Sequence, residues 1–287
     1  MLRQNRGFMI QQRKLYKLIV LLLTSAIILT SCAEKPRKEV SFDNLDEVTI
    51  GVKIGWDADF FFSKREDVKI VRYNNSGDML LALKNGYIDA MAATHTECKT
   101  VQSMINGVKT VPGDAGSFGN VFIVSKEEEQ LLKDLNSFLE EYKKTDEYAD
   151  IIKRFEESDG INYDSRAVPL TGTGREIRYV IDPAEYPWSY YDFETKEYKG
   201  MEVEIISHFA NEMNYKLVIQ ENASNMLISD VIKGRADIAS DAYSDVYKAE
   251  AEFVDVYEMS VPYHDETMEL LILDEDKELT VNEYLTF

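Results

Sequence analysis

The chain has 287 residues, 45% hydrophobic and 29% charged, which is enough apolar material for one large domain or two lobes. Acidic residues outnumber basic ones by 52 to 32, giving a formal net charge of −20. Such an acidic body repels phosphate backbones, so the composition argues against nucleic-acid binding. The two cysteines and three histidines show no spacing typical of a metal site, and we expect neither a metal nor a cofactor.

Residues 1–32 have the pattern of an export signal. Five basic side chains and no acidic one occur before residue 32, and all five precede an apolar run, Leu18–Leu29, that is short for a membrane span of about 20 residues. Leu29-Thr30-Ser31-Cys32 resembles the lipobox of bacterial lipoproteins, in which the cysteine is acylated, with palmitate for example. We therefore predict a lipid anchor at Cys32 on the extracytoplasmic face of the cell membrane, followed by a spacer, 33–45. An uncleaved signal anchor is the alternative, and it also exports the body.

Residues 46–120 alternate between strand-like and helix-like segments. The sequence predicts strands at Val48–Val52, Val68–Tyr73 and Tyr87–Ala92. The last of these is an apolar run, which suits a sheet covered on both faces. An amphipathic helix lies between the last two strands and can end at Gly86 in a left-handed conformation, and a short helix is expected around Val101–Ile105.

Residues 121–156 are predicted to form a strand, Val121–Val124, and two helices. The first helix has apolar residues at helical spacing from residue 131 to 142, and Thr145 can cap the second. The segment 157–175 contains Gly160, Pro169 and Gly172 with few apolar residues, and it is interpreted as a linker.

A second α/β unit is predicted at 176–287. Its expected elements are strand Ile177–Ile181, a loop rich in proline and aromatic residues, a helix from Met201, strand Lys216–Ile219, helix Met226–Ile232, strand Ala236–Ala239 and strand Leu270–Leu273. It repeats a feature of the first unit, because a helix ends at glycine and a strand with aspartate near its start follows in both. The glycine and aspartate pairs are Gly86 with Asp89 and Gly234 with Asp237. Two similar lobes would produce this repetition.

Four stretches of the second unit resemble the first lobe of the family 3 extracellular solute-binding proteins. They are Asp182–Trp188, Lys199–Ile206, Gly234–Ala239 and Ser260–Tyr263. Members of that family hand amino acids and similar small polar molecules to membrane transporters. The resemblance implies a two-lobed, periplasmic-binding-protein-like α/β fold of type II, in which each lobe is a mixed sheet flanked by helices.

The parts occur in a rotated order relative to that family. Residues 46–120 resemble the second lobe, 121–156 resemble the return strand and the two closing helices, and 176–287 resemble the first lobe, which normally comes first. A circular permutation with the linker 157–175 joining the old termini is the simplest account. A fragment of a tandem array, cut out of register, is the alternative.

Ligands of open α/β sheets bind beyond the carboxyl ends of the strands, which selects the candidate site. The candidates are Asp182, Glu185, Tyr186, Trp188, Ser240, Asp241 and Ser244 in the first-lobe-like unit, and Gly55, Trp56 and Thr94 in the second-lobe-like unit. Aromatic faces can stack on an apolar or cationic group, and a carboxylate such as Asp182 can hold an ammonium. Trp188 could instead fill the core, and Asp89 and Asp237 are interpreted as structural.

Three departures from the family pattern bear on the ligand. Amino-acid binders of the family carry an arginine shortly after the position of Ser244, whereas no arginine occurs after Arg235 and Lys248 is the nearest cation. Trp56 occupies the place of a small hydroxyl residue, and the usual acidic partner of the ligand ammonium falls near Thr94. These departures leave two alternatives to a free α-amino acid, namely another small polar or cationic ligand and a site that has lost ligand binding.

The sequence leads to one functional hypothesis and two alternatives. The hypothesis is a non-enzymatic, lipid-anchored receptor that captures a small polar molecule, amino-acid-like or cationic, for an ABC transporter permease. The first alternative is a sensor or adaptor module that serves a signalling partner. The second is a dehydratase-type enzyme on the same fold, for which Glu185, Asp241 and His264 are acid–base candidates by residue type only.

Overall fold

The computed structural model describes residues 38–249 and 256–281, without the side chains of residues 248 and 249. The predicted export signal with Cys32, and the Lys248 side chain, lie outside this description. From Glu39 onward the described residues belong to one compact unit. Within them, no helix is both long enough and apolar enough to cross a membrane.

One of the two main sheets, called sheet A, is built around strand Thr49–Lys53. Its strands lie in the order Lys69–Tyr73, Thr49–Lys53, Ala90–Thr94, His264–Leu273 and Val108–Thr110, and Ser117–Asn120 also pairs with His264–Leu273. The first three strands are parallel, and His264–Leu273 is antiparallel to its neighbours. Its helices are Asp57–Phe62, Ser76–Lys84 and His95–Met104.

The other main sheet, called sheet B, is built around strand Glu176–Ile181. Its strands lie in the order Lys216–Glu221, Glu176–Ile181, Ile238–Ser240, Ile123–Val124 and Glu258–Met259. Again the first three are parallel and the fourth is antiparallel. The associated helices are Glu129–Tyr142, Asp146–Glu157, Met201–Glu212 and Leu227–Ile232, with 3₁₀ turns at Ser224–Met226 and Asp245–Ala249.

Two small sheets complete the described secondary structure. One contains Ala184–Glu185, Ser189–Asp192 and Glu197–Lys199, and the other pairs Ile105–Asn106 with Thr280–Val281. The first of them shapes the loop after strand Glu176–Ile181. Gly200 follows it with φ +122°, and a Cβ there would lie 2.2 Å from the Trp188 carbonyl oxygen. Only glycine fits this close backbone approach.

Each main sheet is buried on both faces by its own apolar clusters, so each sheet forms the centre of a separate lobe. Ile50 and Met91 of sheet A point into two separate apolar clusters, and Tyr179 and Val180 of sheet B do the same. Because side chains alternate along a strand, two-sided burial requires the nearly continuous apolar runs seen in the sequence. The structure is therefore the predicted two-lobed α/β fold, with a mixed sheet flanked by helices in each lobe.

The repetition between the two units has the same structural basis in each. Gly86 and Gly234 end their helices with φ of +70° and +65°. The Asp89 carboxylate accepts a hydrogen bond of 2.7 Å from the backbone N–H of Thr49, and that of Asp237 accepts one of 2.7 Å from Arg178. Each aspartate thus links the start of its own strand to the neighbouring parallel strand, Thr49–Lys53 in sheet A and Glu176–Ile181 in sheet B. The structural interpretation of both is confirmed.

Two antiparallel strands connect the lobes. Ser117–Asn120 runs towards Ile123–Val124 of sheet B, and it pairs with the first half of His264–Leu273, which runs the other way into sheet A. Each sheet thereby receives its antiparallel fourth strand from a distant part of the chain. The two paired strands are therefore the crossovers between the lobes.

The prediction that the last long strand belongs to the unit 176–287 is wrong. Residues 264–273 pair with Ala90–Thr94 of sheet A, so the chain crosses to the other lobe at residue 264 rather than near its end. The predicted strand 121–124 is present only at Ile123–Val124, and the separate strand Ser117–Asn120, which pairs with His264–Leu273, precedes it. The helix predicted at 101–105 begins earlier, at His95, where the Thr94 hydroxyl accepts a hydrogen bond from the backbone of Glu97. Local patterns contain none of this crossing information.

The predicted linker is packed onto sheet B's helices. The buried Glu204 carboxylate accepts hydrogen bonds from the Tyr163 hydroxyl, at 3.0 Å, and the Ser165 hydroxyl, at 2.9 Å. Arg154 forms an ion pair with the same carboxylate at 2.7 Å. The domain boundaries and the circular permutation remain predictions.

Candidate functional site

A cavity of about 830 Å³ lies between the two lobes, at the carboxyl ends of the parallel strands of both sheets. Eight of the ten predicted site residues line it. They are Gly55, Trp56, Thr94, Asp182, Glu185, Tyr186, Trp188 and Asp241. The structure thus brings together residues from both halves of the chain, as the strand-end rule predicts. That they bind a ligand remains a prediction.

Ser240 and Ser244 are not among the lining residues. Both side chains are fully buried. The Ser240 hydroxyl donates a hydrogen bond of 2.7 Å to Glu202, and Ser244 accepts one of 3.1 Å from the backbone N–H of Val246. Ser240 ends strand Ile238–Ser240, and its hydroxyl bonds within the interior. Ser244 follows that strand, and its hydroxyl also hydrogen-bonds the cavity residue Asp57.

Glu202 supports the loop that carries Asp241. Its fully buried carboxylate accepts hydrogen bonds from the Tyr263 hydroxyl and from the backbone N–H of Ala242, at 2.5 and 2.9 Å. Burial raises the pKa of Glu202 to about 7, although these donors oppose the shift. The network fixes the loop next to the start of the crossover strand at His264.

The lining contains further residues that the sequence interpretation did not select. They include Lys53, Asp57, Glu97, Tyr243, Tyr247, Tyr257 and Glu266. Lys53 ends strand Thr49–Lys53 and Asp57 follows Trp56 directly, so the strand-end rule could have found both. Glu266 could not be found this way, because it lies on the strand that was assigned to the other lobe.

The Lys53 ammonium is already engaged in the cavity wall. It lies 2.9 Å from the Glu97 carboxylate and 3.6 Å from the centroid of the Trp56 ring. A cation at that distance over an aromatic face is attracted by the ring quadrupole. Lys53 is the single lysine or arginine among the described residues that line the cavity.

The carboxylates on the sheet B side of the cavity have few partners that offset the cost of burying their charge. The Asp182 carboxylate accepts backbone hydrogen bonds from Ala184 and Ser224. One oxygen of Asp241 bonds to the Ser224 hydroxyl, whereas its Oδ1 is buried and has no hydrogen-bond partner. Burial, and next the charge of Asp241, raise the pKa of Glu185 to about 8, and burial raises the pKa of Asp241 to about 6.

The sheet A side carries a second pair of buried carboxylates, Asp57 and Glu266, although hydrogen bonds from Tyr247 and Ser244 favour the charged form of Asp57. Asp57 begins helix Asp57–Phe62 with only 9% of its surface exposed, and its Oδ1 is buried without a hydrogen-bond partner. Burial raises the pKa of Asp57 to about 7, and the charge of Glu266 adds to the shift. Glu266 accepts a hydrogen bond of 2.7 Å from the backbone N–H of Thr96, and burial raises its pKa as well.

Both tryptophans of the chain line the cavity, in different environments. Trp56 is 42% exposed, whereas Trp188 is 4% exposed and packs on Phe155 with ring centroids 4.6 Å apart. The Trp188 ring therefore fills the core and also borders the cavity, and its contact with a ligand remains a prediction.

The other reactive residue types lie outside this arrangement. His264 is buried against the Phe155 ring and is not among the lining residues. Cys98 is a buried free thiol. Among the residues that the structure describes, no group of three or more histidine, cysteine, aspartate or glutamate side chains could hold a metal ion.

Residues 177–281 match the family model of the bacterial extracellular solute-binding proteins, family 3. The resemblance inferred from the sequence is thereby confirmed for this part of the chain, which runs from sheet B through the crossover strand into sheet A. Members of this family are extracytoplasmic or periplasmic binding proteins. None of the curated proteins matches the sequence.

Solved structures of low sequence identity are similar to the chain. A probable amino-acid ABC transporter extracellular-binding protein, ytmK, from Bacillus subtilis is 7% identical with a TM-score of 0.40, covering 82% of this chain and 87% of that one. A phosphate ABC transporter, phosphate-binding protein from Streptococcus pneumoniae is 12% identical with a TM-score of 0.38, covering 80% and 90%. The ligand-binding component of an ABC-type import system from Staphylococcus aureus is 12% identical with a TM-score of 0.38, covering 80% and 67%.

The cavity differs from the amino-acid clamp expected for family 3. No arginine is among the described lining residues, and Lys53 is held by Glu97. A ligand carboxylate would therefore meet a lysine that is already paired, together with several carboxylates, instead of a guanidinium fork.

Proposed function

We propose that this protein is a lipid-anchored, extracytoplasmic solute-binding protein that captures a small organic cation between its two lobes. The observation that carries the proposal is the charge of the cavity wall. The wall contains six carboxylates, and Lys53 is the single lysine among its described residues. The carboxylates belong to Asp57, Glu97, Asp182, Glu185, Asp241 and Glu266. A cation is the ligand that offsets the electrostatic cost of holding these groups in a confined space.

The aromatic lining supports an organic rather than a purely ionic ligand. Six aromatic side chains border the cavity, namely Trp56, Tyr186, Trp188, Tyr243, Tyr247 and Tyr257. Aromatic faces attract ammonium groups and also pack against methylene groups. The cavity volume of about 830 Å³ lies within the range usual for small-molecule sites.

Delivery to a membrane transporter completes the proposal. Family 3 implies a small-molecule ligand and a transporter or sensor partner in general. We assign an ABC transporter permease as the partner, because the paired crossover strands allow a hinge whose closed form a permease can recognise. We assign the anchor to Cys32 on the lipobox pattern. The protein acts by binding, without turnover of the ligand.

Thermal unfolding of the full chain in detergent tests ligand capture. The panel contains organic cations, zwitterionic amino acids, organic anions and neutral sugars. A ligand at a hundred times its dissociation constant stabilises the folded state by about 2.7 kcal/mol, so organic cations should raise the midpoint. A shift produced only by zwitterions or anions would contradict the cation assignment, and no shift with any compound would contradict solute capture.

Labelling with an alkyne analogue of palmitate tests the anchor separately. The wild-type chain should incorporate the label in cells, and Cys32→Ser should abolish incorporation. The matched Cys98→Ser variant should keep it, because Cys98 is a buried thiol within sheet A's lobe. Equal labelling of wild type and Cys32→Ser would disprove the lipid anchor.

A further inference from the structure

The carboxylates of the cavity form two separate groups on opposite lobes. The first group, called pole A, contains Asp57 and Glu266, and the second, called pole B, contains Glu185 and Asp241. Within each pole, one carboxylate raises the pKa of the other through its charge. Asp57 and Glu266 belong to the lobe of sheet A, whereas Glu185 and Asp241 follow strands of sheet B, so the two poles lie on different lobes.

Each pole presents a buried oxygen that lacks a partner. Asp57 Oδ1 in pole A and Asp241 Oδ1 in pole B are both buried and accept no hydrogen bond from the described residues. Unpaired buried acceptors of this kind are uncommon, because each carries a desolvation cost. One such oxygen on each lobe's side of the cavity indicates two places where a donor is expected.

Lys53 shows how an ammonium is held in this cavity. Its Nζ lies against Glu97 and the Trp56 ring on the sheet A side. Its charge also lowers the pKa of Glu185 and of Asp241 on the sheet B side. The cavity therefore already combines a carboxylate and an aromatic face around a primary ammonium, although this ammonium leaves Asp57 Oδ1 and Asp241 Oδ1 unpaired.

Resting on the proposed function, we propose that the ligand is a linear diamine or polyamine whose two ammonium ends bind one pole each. One ammonium donates to Asp57 of pole A, the other donates to Asp241 of pole B, and the methylene chain crosses the aromatic lining. A dication of this type bridges the lobes and so favours their closed arrangement. A single ammonium can satisfy only one pole.

Calorimetric titration of the full chain in detergent at pH 8 tests the two-ended mode. The probes are putrescine, cadaverine and hexanediamine, with butylamine as the monocation, butanediol as the neutral analogue and calcium chloride as the metal arm. The wild-type chain should bind the best diamine at least about tenfold more tightly than butylamine, with an optimum in chain length. Butanediol and calcium should bind much more weakly.

Variants at the two poles separate two-ended from one-ended binding. Asp57→Asn and Asp241→Asn should each weaken diamine binding by about tenfold or more, so that the ratio of diamine to monoamine affinity falls towards one. Butylamine binding should respond to only one of these variants. The exposed Asp46→Asn, which removes the same charge from sheet A's lobe, should change neither affinity.

The outcomes distinguish this inference from the proposed function. Equal affinity for diamine and butylamine, or a diamine affinity that responds to only one pole, would overturn the two-ended mode and leave capture of an organic cation intact. Calcium binding that displaces the diamine at lower concentration would overturn the organic ligand. Failure of every amine to bind would overturn both proposals.

Discussion

Lys53 and Glu97 form an ion pair of 2.9 Å in the wall of the cavity, at the carboxyl end of strand Thr49–Lys53. The pair neutralises one carboxylate and places an intramolecular ammonium where a cationic ligand would bind. This arrangement has a direct consequence, because the lysine and the ligand compete for the same negative charge.

Removal of the lysine should therefore tighten binding of organic cations. We expect Lys53→Met to raise diamine affinity by several-fold, since it frees Glu97 and removes a repulsive charge near Glu185 and Asp241. Lys109→Met is the matched control, because Lys109 pairs with Asp274 outside the cavity at 3.1 Å. A weaker affinity for Lys53→Met than for Lys109→Met would show that Lys53 contacts the ligand favourably.

Asp57 should make the ligand-free protein less stable as the pH rises. Its pKa is about 7 in the folded chain, well above the ordinary value of an aspartate, so the folded state holds the proton over the interval in which the unfolded state releases it. Stability is therefore lost as the pH rises from about 4 to about 7, by an amount on the order of a few kcal/mol. Asp57→Asn removes this loss.

Thermal unfolding midpoints at pH 5 and pH 8 measure the effect. Asp57→Asn should raise the midpoint more at pH 8 than at pH 5, whereas the exposed Asp46→Asn should change it little at either pH. A midpoint that falls at pH 8 in Asp57→Asn would mean that the carboxylate has a partner that stabilises its charge.

The affinity for an organic cation should rise with pH. Glu185 has a pKa of about 8 in the free protein, so at pH 7 a cation must displace a proton from it. The affinity should increase from pH 6 to pH 8, well below the range near pH 10 in which a primary amine loses its charge. Calorimetry in buffers of different ionisation enthalpy should show proton release at pH 7.

Glu185→Gln supplies the comparison for this pH dependence. It should flatten the rise in affinity between pH 6 and pH 8, while the exposed Glu197→Gln of the same lobe should retain it. An unchanged pH profile in Glu185→Gln would exclude this carboxylate as the group that is linked to binding.

The two tryptophans should separate binding from stability. Trp188 is almost fully buried, so Trp188→Ala should cost about 3–5 kcal/mol of unfolding free energy whether or not the ring contacts a ligand. Trp56 is 42% exposed, so Trp56→Ala should cost little stability and should weaken cation binding by several-fold. Tyr87→Ala, at a ring 74% exposed and outside the cavity, is the control. Equal binding by Trp56→Ala and Tyr87→Ala would remove Trp56 from the site.

The segment 157–175 should lose its attachment when Glu204 loses its charge. The Glu204 side chain is 3% exposed and is paired with Arg154, and removal of one partner of a buried ion pair costs about 3–5 kcal/mol. Glu204→Gln should lower the unfolding free energy by that order and should speed proteolysis within 157–175. Glu157→Gln, in an exposed pair with Lys153 at 3.8 Å, should leave both unchanged. Unaltered proteolysis in Glu204→Gln would show that other contacts hold the segment.

Local sequence patterns predict much of the fold because they report periodicity and punctuation. The strand Glu176–Ile181 and the helices ended by Gly86 and Gly234 follow directly from such patterns. The sequence predicts only the Leu270–Leu273 part of strand His264–Leu273 and assigns it to the wrong lobe. Its partners lie about 170 residues away in sequence, and nothing in its own residues specifies them.

The candidate site could be predicted to the same extent and for the same reason. Asp182, Glu185 and Trp56 follow parallel strands whose carboxyl ends face the cavity, and the rule that ligands bind at such ends locates them. Glu266 enters the cavity from the crossover strand, and Ser240 is turned away by its hydrogen bond to Glu202. Both outcomes depend on packing between distant segments, which the spacing of residue types does not encode.

Titration of the intrinsic fluorescence is the most direct test of cation capture, because both tryptophans of the chain line the cavity. The full chain in detergent at pH 8 is titrated with putrescine and, in parallel, with the neutral butanediol. We predict a saturable change in tryptophan emission with putrescine, reduced in Glu185→Gln, and no saturable change with butanediol. Emission that is unaffected by putrescine, or that responds equally to both compounds, would contradict an electrostatic cation site between the lobes.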